Sequence, residues 1–416
     1  MNPETIERLI AQGQDRYEAR LAAGQARLKR GDIAQAIAHL SKATELAPDK
    51  PMAWQVLGEA YRRRGQLDQA RAAFEQGIEV ARGNGDSQAE KVMAVWLKRL
   101  RKLPGLPDPQ SVFAENRLLA LPTETVYGLA APIDRPDLIA RVFELKERPA
   151  DHPLIVHVGS VEQARSCVAD WPSAAEALGD KFWPGPLTLV LPKSDRISDA
   201  ITAGQSTVAL RMPDHPLALE LLKRAEVPMV APSANPFTHL SPTRAADVAQ
   251  AFSSDEVAVV DGGPCQVGIE SIIVALDSNN NMARVLRPGI ISEQAISEAL
   301  PADWKLADPS GASARAPGQL AAHYRPSSPL RVEVLNQQNA LDDRFEALSA
   351  SVDQTVIQLP AEAELAARDL YALLRTADSE NTGELVILLL EDQRCDPAWA
   401  GIINRLEKAA STWANP

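Results

Sequence analysis

The sequence predicts a multidomain protein: all-α helical hairpins in front, a central α/β domain, and a small C-terminal α/β domain with an open sheet. Three observations carry this reading. Residues 17–84 repeat themselves at a fixed interval. From about residue 111, short apolar runs alternate with helical stretches, the pattern of a layered α/β domain. After a second stretch rich in Ala, Pro, Gly and Ser, the alternation resumes on a smaller scale from Leu330. The expected divisions are 1–104, 111–300, a linker over 301–328, and 329–416.

Composition sets the outer bounds. The chain has 416 residues, 45% hydrophobic and 24% charged, which leaves room for two to four ordinary globular domains. No run approaches the roughly 18 apolar residues of a membrane span. The opening Met-Asn-Pro-Glu-Thr-Ile-Glu lacks the basic and apolar regions of a secretory leader, so a cytoplasmic protein without a membrane partner is expected. Cys167, Cys265 and Cys395 are scattered and odd in number, which suits a reducing compartment and offers no zinc site or disulfide framework. The net charge of -12 is divided unevenly: residues 1–104 hold 18 Lys and Arg against 13 Asp and Glu, and the rest holds 25 against 42. A basic front on an acidic body points to a binding role for the front piece.

Within that front piece Gly24, Gly31, Ala36 and Leu40 recur as Gly58, Gly65, Ala70 and Phe74, each pair 34 residues apart. The second copy, with Trp54, Leu57, Gly58, Tyr61, Ala70 and Phe74, resembles the tetratricopeptide pattern, and Pro48 closes the first copy where that pattern has proline. Small residues let paired helices approach while large ones fill the gaps between them. Residues 87–103 read as a capping helix with Val92, Val95, Trp96 and Leu100 on one face. Leu103 to Pro109 is a Pro- and Gly-rich linker.

Strands are expected in the central domain at 118–121, 154–158, 187–191, 208–212, 229–231, 257–260, 271–276 and 285–286. Helices are expected at 137–145, 161–168, 172–181, 216–224 and 244–252. The C-terminal unit should have strands at 330–335, 355–359 and 385–390, with helices at 361–376 and 398–410. Inside the linker, Ala316 to Pro326 carries a His323-Tyr324 pair bracketed by Pro-Gly and Pro, which is unusual for a plain spacer.

Lys146, Arg148, Arg211 and Arg287 all stand beside Pro or Gly at the ends of expected elements, where α/β proteins place ligands. Cations and hydroxyls converging from distant segments suit an anionic ligand such as a nucleotide triphosphate. The domain has no Walker loop and no G-x-G-x-x-G string, so side chains and loop amides must supply any phosphate cradle.

One string organises the domain: Leu121-Pro122-Thr123-Glu124-Thr125-Val126-Tyr127-Gly128-Leu129. After it come Lys146-Glu147-Arg148-Pro149, His152 to His157, Phe182 to Leu191, Thr207 to Pro213, Ala231-Pro232-Ser233-Ala234-Asn235, Ser241-Pro242-Thr243, Gly268-Ile269-Glu270-Ser271 and Arg287-Pro288-Gly289. In this order they resemble the YrdC-type threonylcarbamoyl-AMP synthases, and the linker and C-terminal unit resemble the two-domain branch of that family. The resemblance implies a twisted mixed sheet. It implies synthesis of L-threonylcarbamoyladenylate from L-threonine, bicarbonate and ATP, with Mg²⁺ accompanying ATP, for tRNA modification.

The same resemblance implies that Thr125, His157, Arg211, Ala231 and Ser271 hold threonine, with Arg211 on its carboxylate. Arg148, His152, Thr207, Ser233, Asn235, Ser241, Arg287 and Tyr324 would serve ATP, Lys146 and Arg148 would carry the catalytic charge neutralisation, and Tyr324 would cover the nucleotide. His152 replaces the family's usual asparagine, Ile272 a threonine, Arg325 an alanine and Asn116 a glycine. A catalytically degenerate adaptor that binds RNA or protein through its repeats is the alternative; the retention of every cation named above argues against decay. A carbamoyltransferase of hydrogenase maturation shares this domain type but carries zinc-finger cysteines, which three scattered cysteines cannot supply.

Overall fold

A computed structural model describes residues 3–64, 66–101, 106–308, 323–349, 353–380 and 383–414. The chain divides into two compact units, residues 1–106 with 176–184, and residues 107–175 with 185–416.

The first unit is built on α1 (Pro3–Ala11), α2 (Tyr17–Arg30), α3 (Ile33–Leu46), α4 (Pro51–Arg63), α5 (Leu67–Gly83) and α6 (Ser87–Arg101). Leu28, Ile33, Ala36, Leu40, Leu57, Ala60 and Ala73 form its buried seam. The repeat is a packing rule. A methyl group added to Gly24 would lie 2.5 Å from Leu40, and one added to Gly58 would lie 2.5 Å from Phe74, so each hairpin closes only because a glycine faces a large side chain. Gly31 ends α2 in the left-handed region, φ 85°, with its N–H on the last carbonyls of the helix. Its repeat partner Gly65 lies outside the described residues. The capping helix departs from the expected face at Val95; Val92 and Trp96 are half-buried, and the side chain of Leu100 lies outside the described residues. Ala89, Met93 and Leu97 are buried while Val95 is 50% exposed, because Gly77 of α5 leaves a slot that Met93 enters. Two faces of this helix have helical apolar spacing, and the slot decides between them.

The second unit begins at α7 (Pro109–Ala114), where Asp108 accepts the Ser111 N–H as N-cap. Along the chain the elements continue as β1 (Leu118–Leu121), β2 (Gly128–Pro132), α8 (Pro136–Leu145), β3 (Ile155–His157), α9 (Val161–Ser166), α10 (Ser173–Phe182), most of which falls among the residues grouped with the first unit, and β4 (Leu187–Pro192). Then come α11 (Asp199–Thr202), β5 (Thr207–Arg211), α12 (Pro216–Ala225), β6 (Met229–Val230), α13 (Ala245–Ala251), β7 (Val257–Val259), β8 (Ile272–Asp277), β9 (Met282–Arg287), α14 (Glu293–Ala299) and β10 (Lys305–Ala307). These strands form one sheet in the order β10-β9-β8-β4-β5-β3-β6-β2-β1-β7. It is mixed: β1–β2, β2–β6, β3–β6, β4–β5 and β8–β9 run antiparallel, the other neighbours parallel. The central strands β3, β4 and β5 are buried at nearly every residue, so both faces are covered and the apolar runs are continuous rather than alternating.

Residues 301–308 are not linker as expected. Trp304 is buried and β10 adds a parallel edge strand beside β9, with Lys305 opposite Met282. The expected linker and lid therefore shrink; residues 309–322 lie outside the described residues.

The C-terminal domain follows with β11 (Leu330–Leu335), α15 (Gln338–Ser349), β12 (Gln354–Ile357), α16 (Ala363–Glu380), β13 (Glu384–Leu390), α17 (Glu391–Cys395), α18 (Ala400–Ala409) and β14 (Thr412–Ala414). Its open sheet, β12-β13-β11-β14, is parallel throughout. Its core is continuous with the central domain: Leu370, Tyr371, Ile402 and Leu406 share one buried cluster with Val126, Leu240, Ile269 and Tyr324. No described helix is long and apolar enough to cross a membrane.

Candidate active site

The opening string makes the turn from which the site grows. Thr123 Oγ1 donates to the Val126 carbonyl (2.6 Å) and accepts the N–H groups of Thr125 and Val126 (3.2 Å each), so the chain leaves β1 and returns as β2 within six residues. Thr125 is fully buried in this turn, its hydroxyl 2.9 Å from that of Thr123. Two later strings are strapped to the turn by backbone bonds: Tyr127 N–H to Pro242 O, Ala234 N–H to Tyr127 O, and Leu129 N–H to Pro232 O. The Ala231–Asn235 and Ser241–Thr243 strings thus meet the first one although more than 100 residues separate them in sequence.

A pocket opens beside this junction. Among its lining residues are Arg148, His157, Arg211, Ala231, Ser233, Glu270, Arg287, His323 and Tyr324. β3 and β5 are parallel neighbours with His157 opposite Arg211, so strand register sets imidazole and guanidinium side by side. Glu124 fixes the latter: its carboxylate accepts Arg211 Nη2 at 2.7 Å and the Asp214 N–H at 3.0 Å, with both side chains only 5% exposed. Arg211 Nε and His157 Nδ1 are buried without a partner among the described residues. Burial, with the neighbouring Arg211, pushes the His157 pKa down to about 3, so the ring is neutral at physiological pH.

The other cations differ in how they are used. Arg148 donates from Nη2 to Pro153 O (3.0 Å) and sits over the Phe237 ring, while its Nε is buried without a partner among the described residues. Burial draws its pKa down only to about 10, so it keeps its charge. Arg287 donates from Nε and Nη2 to the Ser271 carbonyl (3.1 and 2.9 Å), and the Ser271 hydroxyl lies 2.7 Å from that of Thr188. Lys146 does not line the pocket. It is 1% exposed, and its ammonium donates to Ser233 O (2.5 Å) and Asn235 O (2.6 Å), stapling the Ala231–Asn235 loop. Burial holds its pKa well below the usual lysine range.

Of the other residues that the family resemblance pointed to, Asn235 donates through Nδ2 to the Pro236 and His239 carbonyls and keeps a buried Oδ1 without a partner among the described residues. Ser241 donates to Glu270 (2.6 Å). His152 is half-buried, its ring 5.4 Å from that of Phe237. Thr207 begins β5, four residues before Arg211, and does not line the pocket. Tyr324 is 1% exposed at φ 60° and packs between His323, which meets it edge-on, and the tilted ring of Tyr371, with the Arg405 guanidinium over its ring. The Arg325 N–H, on Thr238 O at 2.8 Å, lays this end of the connection against the central domain.

Sequence reasoning passed over Glu124, Glu270 and Phe237. The first two stood inside quoted strings, but nothing in a linear string tells which cation a carboxylate will meet. His323 was noticed as half of a pair; the structure adds that it lines the pocket, its pKa pushed down to about 3, chiefly by burial.

Comparison with known proteins places this geometry. Residues 111–289 match the family model described as telomere recombination, 291–411 one described as the threonylcarbamoyl-AMP synthase C-terminal domain, and 27–95 one described as a tetratricopeptide repeat. Over 328 residues the chain is 35% identical to the threonylcarbamoyl-AMP synthase of Bacillus subtilis, covering 74% of this chain and 93% of that one. Over 319 residues it is 37% identical to the threonylcarbamoyl-AMP synthase of Pyrococcus abyssi, covering 71% of this chain and 91% of that one. The crystal structure of P. abyssi Sua5 complexed with L-threonine matches with a TM-score of 0.66 and 33% identity, over 75% of this chain and 97% of that one.

Proposed function

The chain belongs to the threonylcarbamoyl-AMP synthase family, and from that premise we propose that it converts L-threonine, bicarbonate and ATP to L-threonylcarbamoyl-AMP, pyrophosphate and water, for the threonylcarbamoyl-adenosine modification of tRNA. The observation that carries the reading is the pocket where Arg148, Arg211 and Arg287 converge and where Arg211 Nε, Arg148 Nε and His157 Nδ1 are buried without partners among the described residues. Buried donors left open cost free energy unless a ligand meets them.

Threonine binds with its carboxylate on Arg211, which Glu124 holds in place, and with its amine toward neutral His157, beside Ala231, Thr125 and Ser271. The amine attacks the carbon of bicarbonate and water leaves, giving an N-carboxylate. An oxygen of that carboxylate forms a bond to the α-phosphorus of ATP as the bond to pyrophosphate breaks. Arg148 and Arg287 neutralise the triphosphate, with Ser233 and Tyr324 on the pocket wall and Ser241, Asn235 and His152 behind it completing the nucleotide site; Thr207, at the far end of β5, takes no part. Most of the rate comes from positioning and charge stabilisation in a buried site. Lys146 serves by holding the Ser233 loop in place.

Mg²⁺ enters as part of the substrate, on the phosphates of ATP. Among the described residues no three His, Cys, Asp or Glu gather as a metal site, and the pocket carboxylate Glu270 is committed to Ser241, Tyr371 and Arg405. The helical repeats serve a cytoplasmic protein partner or the tRNA itself, consistent with their basic balance. Pyrophosphate release by the purified chain, measured with each substrate omitted in turn, tests the activity. Release that requires threonine and bicarbonate supports it; release from ATP alone, or none, rejects it.

A further inference from the structure

Three strings of the nucleotide site end against the C-terminal domain. Leu240-Ser241, Glu270-Ser271 and Pro288-Gly289 are met by side chains from α16 and α18. Arg375 donates to the Leu240 and Ser241 carbonyls at 3.1 and 3.3 Å. Tyr371 donates to Glu270 Oε2 at 3.0 Å. Arg405 forks: Nε to Glu270 Oε2 (2.9 Å), Nη2 to the Glu270 carbonyl (2.9 Å) and Nη1 to the Pro288 carbonyl (2.5 Å). Contact is close enough that a methyl group added to Gly401, one turn before Arg405, would lie 2.7 Å from Gly289 O.

This is an expensive arrangement if stability were its only purpose. The Arg405 side chain is fully buried and that of Glu270 only 9% exposed. Replacing such a buried pair by apolar side chains of similar volume is often neutral or stabilising. What the pair holds is informative. Glu270 is a wall of the pocket and accepts the Ser241 hydroxyl; the residue after it anchors Arg287 through its carbonyl; the residue after Arg287 is Pro288, whose carbonyl Arg405 also binds. Glu270 feels two guanidinium groups, Arg405 from one domain and Arg287 from the other. With Glu270 held by Arg405 and Tyr371, Arg287 keeps its bonds to Ser271 on the pocket wall instead of turning onto that carboxylate.

We infer that Arg405 and Tyr371 are positioning residues for the nucleotide: they occupy Glu270 and fix its loop, so that Arg287 faces the phosphates and the Ser241 strand is held beside it. The C-terminal domain is thus a working part of the synthase site. This rests on the assignment of Arg287 and Ser241 to ATP made above.

The test is ATP affinity of the full-length chain by calorimetry, alongside KM for ATP and for threonine. Arg405→Met is expected to raise the ATP constant 10- to 100-fold and the threonine constant far less, because the freed Glu270 captures Arg287. Arg405→Lys keeps charge without the fork and should fall between. The decisive variant is Arg405→Met with Glu270→Gln, which removes the capturing charge and should recover ATP affinity several-fold over Arg405→Met alone. Tyr371→Phe, a mild change that preserves packing, should raise the ATP constant 3- to 10-fold. Arg344→Ala breaks an ion pair with Glu333 inside the C-terminal domain and should lower thermal stability without moving ATP affinity. Equal weakening of both substrates, no recovery in the double variant, or an Arg344→Ala effect like that of Tyr371→Phe overturns the positioning role. A wild-type chain that binds no ATP overturns the functional reading itself, and with it the subsite named here.

Discussion

Lys146→Met separates two uses of a lysine. In the structure its ammonium bonds the Ser233 and Asn235 carbonyls and lies behind the pocket wall. Methionine fills the space but donates nothing, leaving two buried acceptors unmet at about 1–3 kcal/mol each. Removing the lysine also removes the burial penalty that depresses its pKa, so the net local loss should be about 2–4 kcal/mol. That is roughly 30- to 900-fold in an opening equilibrium. The loss should be local, because the loop is further held by Ala234 N–H on Tyr127 O and Phe237 N–H on Lys146 O. Amide hydrogen exchange over residues 231–237 reads it directly: exchange should accelerate by that factor while the C-terminal strands are unchanged, and activity should fall with it. Lost activity with unchanged exchange in this loop would refute the reasoning and return Lys146 to the phosphates.

Other consequences follow from the same geometry. Arg148→Ala and Arg211→Ala each remove a cation bound for an anionic ligand, at about 2–4 kcal/mol, so pyrophosphate release should drop about 30- to 900-fold with the thermal transition little changed. Glu124→Gln should raise KM for threonine more than KM for ATP, since of the pocket cations it is Arg211 that this carboxylate holds; steady-state kinetics with each substrate varied will show it. His157, held at about 3 against an ordinary 6.5, gains a proton on unfolding only below pH 6.5. Above that pH it carries no linkage cost. Between pH 6.5 and 3 the unfolded chain binds more protons, so stability should fall with pH at up to about 1.4 kcal/mol per unit for this group, measurable by denaturant titration at several pH values and reduced in His157→Gln. Deleting residues 1–104 should leave synthesis intact in a soluble truncated chain while abolishing binding to the partner or tRNA, read by pulldown at two salt concentrations; loss of synthesis by the folded remainder would make the repeats part of the enzyme.

What the sequence made legible was whatever local chemistry dictates. β1 and β11 were readable as apolar runs because buried strands need them, and Gly24 and Gly58 were readable because a hairpin cannot close without them. Strand β2, Gly-Leu-Ala-Ala-Pro, was not among the expected strands: it is short and rich in small residues, and antiparallel pairing to β1 and β6 makes it a strand. Trp304 and β10 were hidden in a run of linker-like composition, where only the bare edge of β9 calls for a strand. The cap helix chose Met93 over Val95 because of a slot in α5, a neighbour's shape rather than its own spacing. The cations of the site were visible as motif residues, but their use was not. Lys146 and Arg148 are two residues apart; one staples a loop and the other lines the pocket. The pairing of Glu270 with Arg405, 135 residues apart, belongs to tertiary structure alone.

The central claim is that this pocket makes a threonylcarbamoyl adenylate. Its most direct measurement is mass spectrometry of the product formed from ATP, L-threonine and ¹³C-labelled bicarbonate by the full-length chain, with Arg211→Ala beside it. The account predicts an adenylate carrying both threonine and the label carbon, and its near-absence with Arg211→Ala. An adenylate without the label, or AMP and pyrophosphate with no threonine adduct, would contradict it.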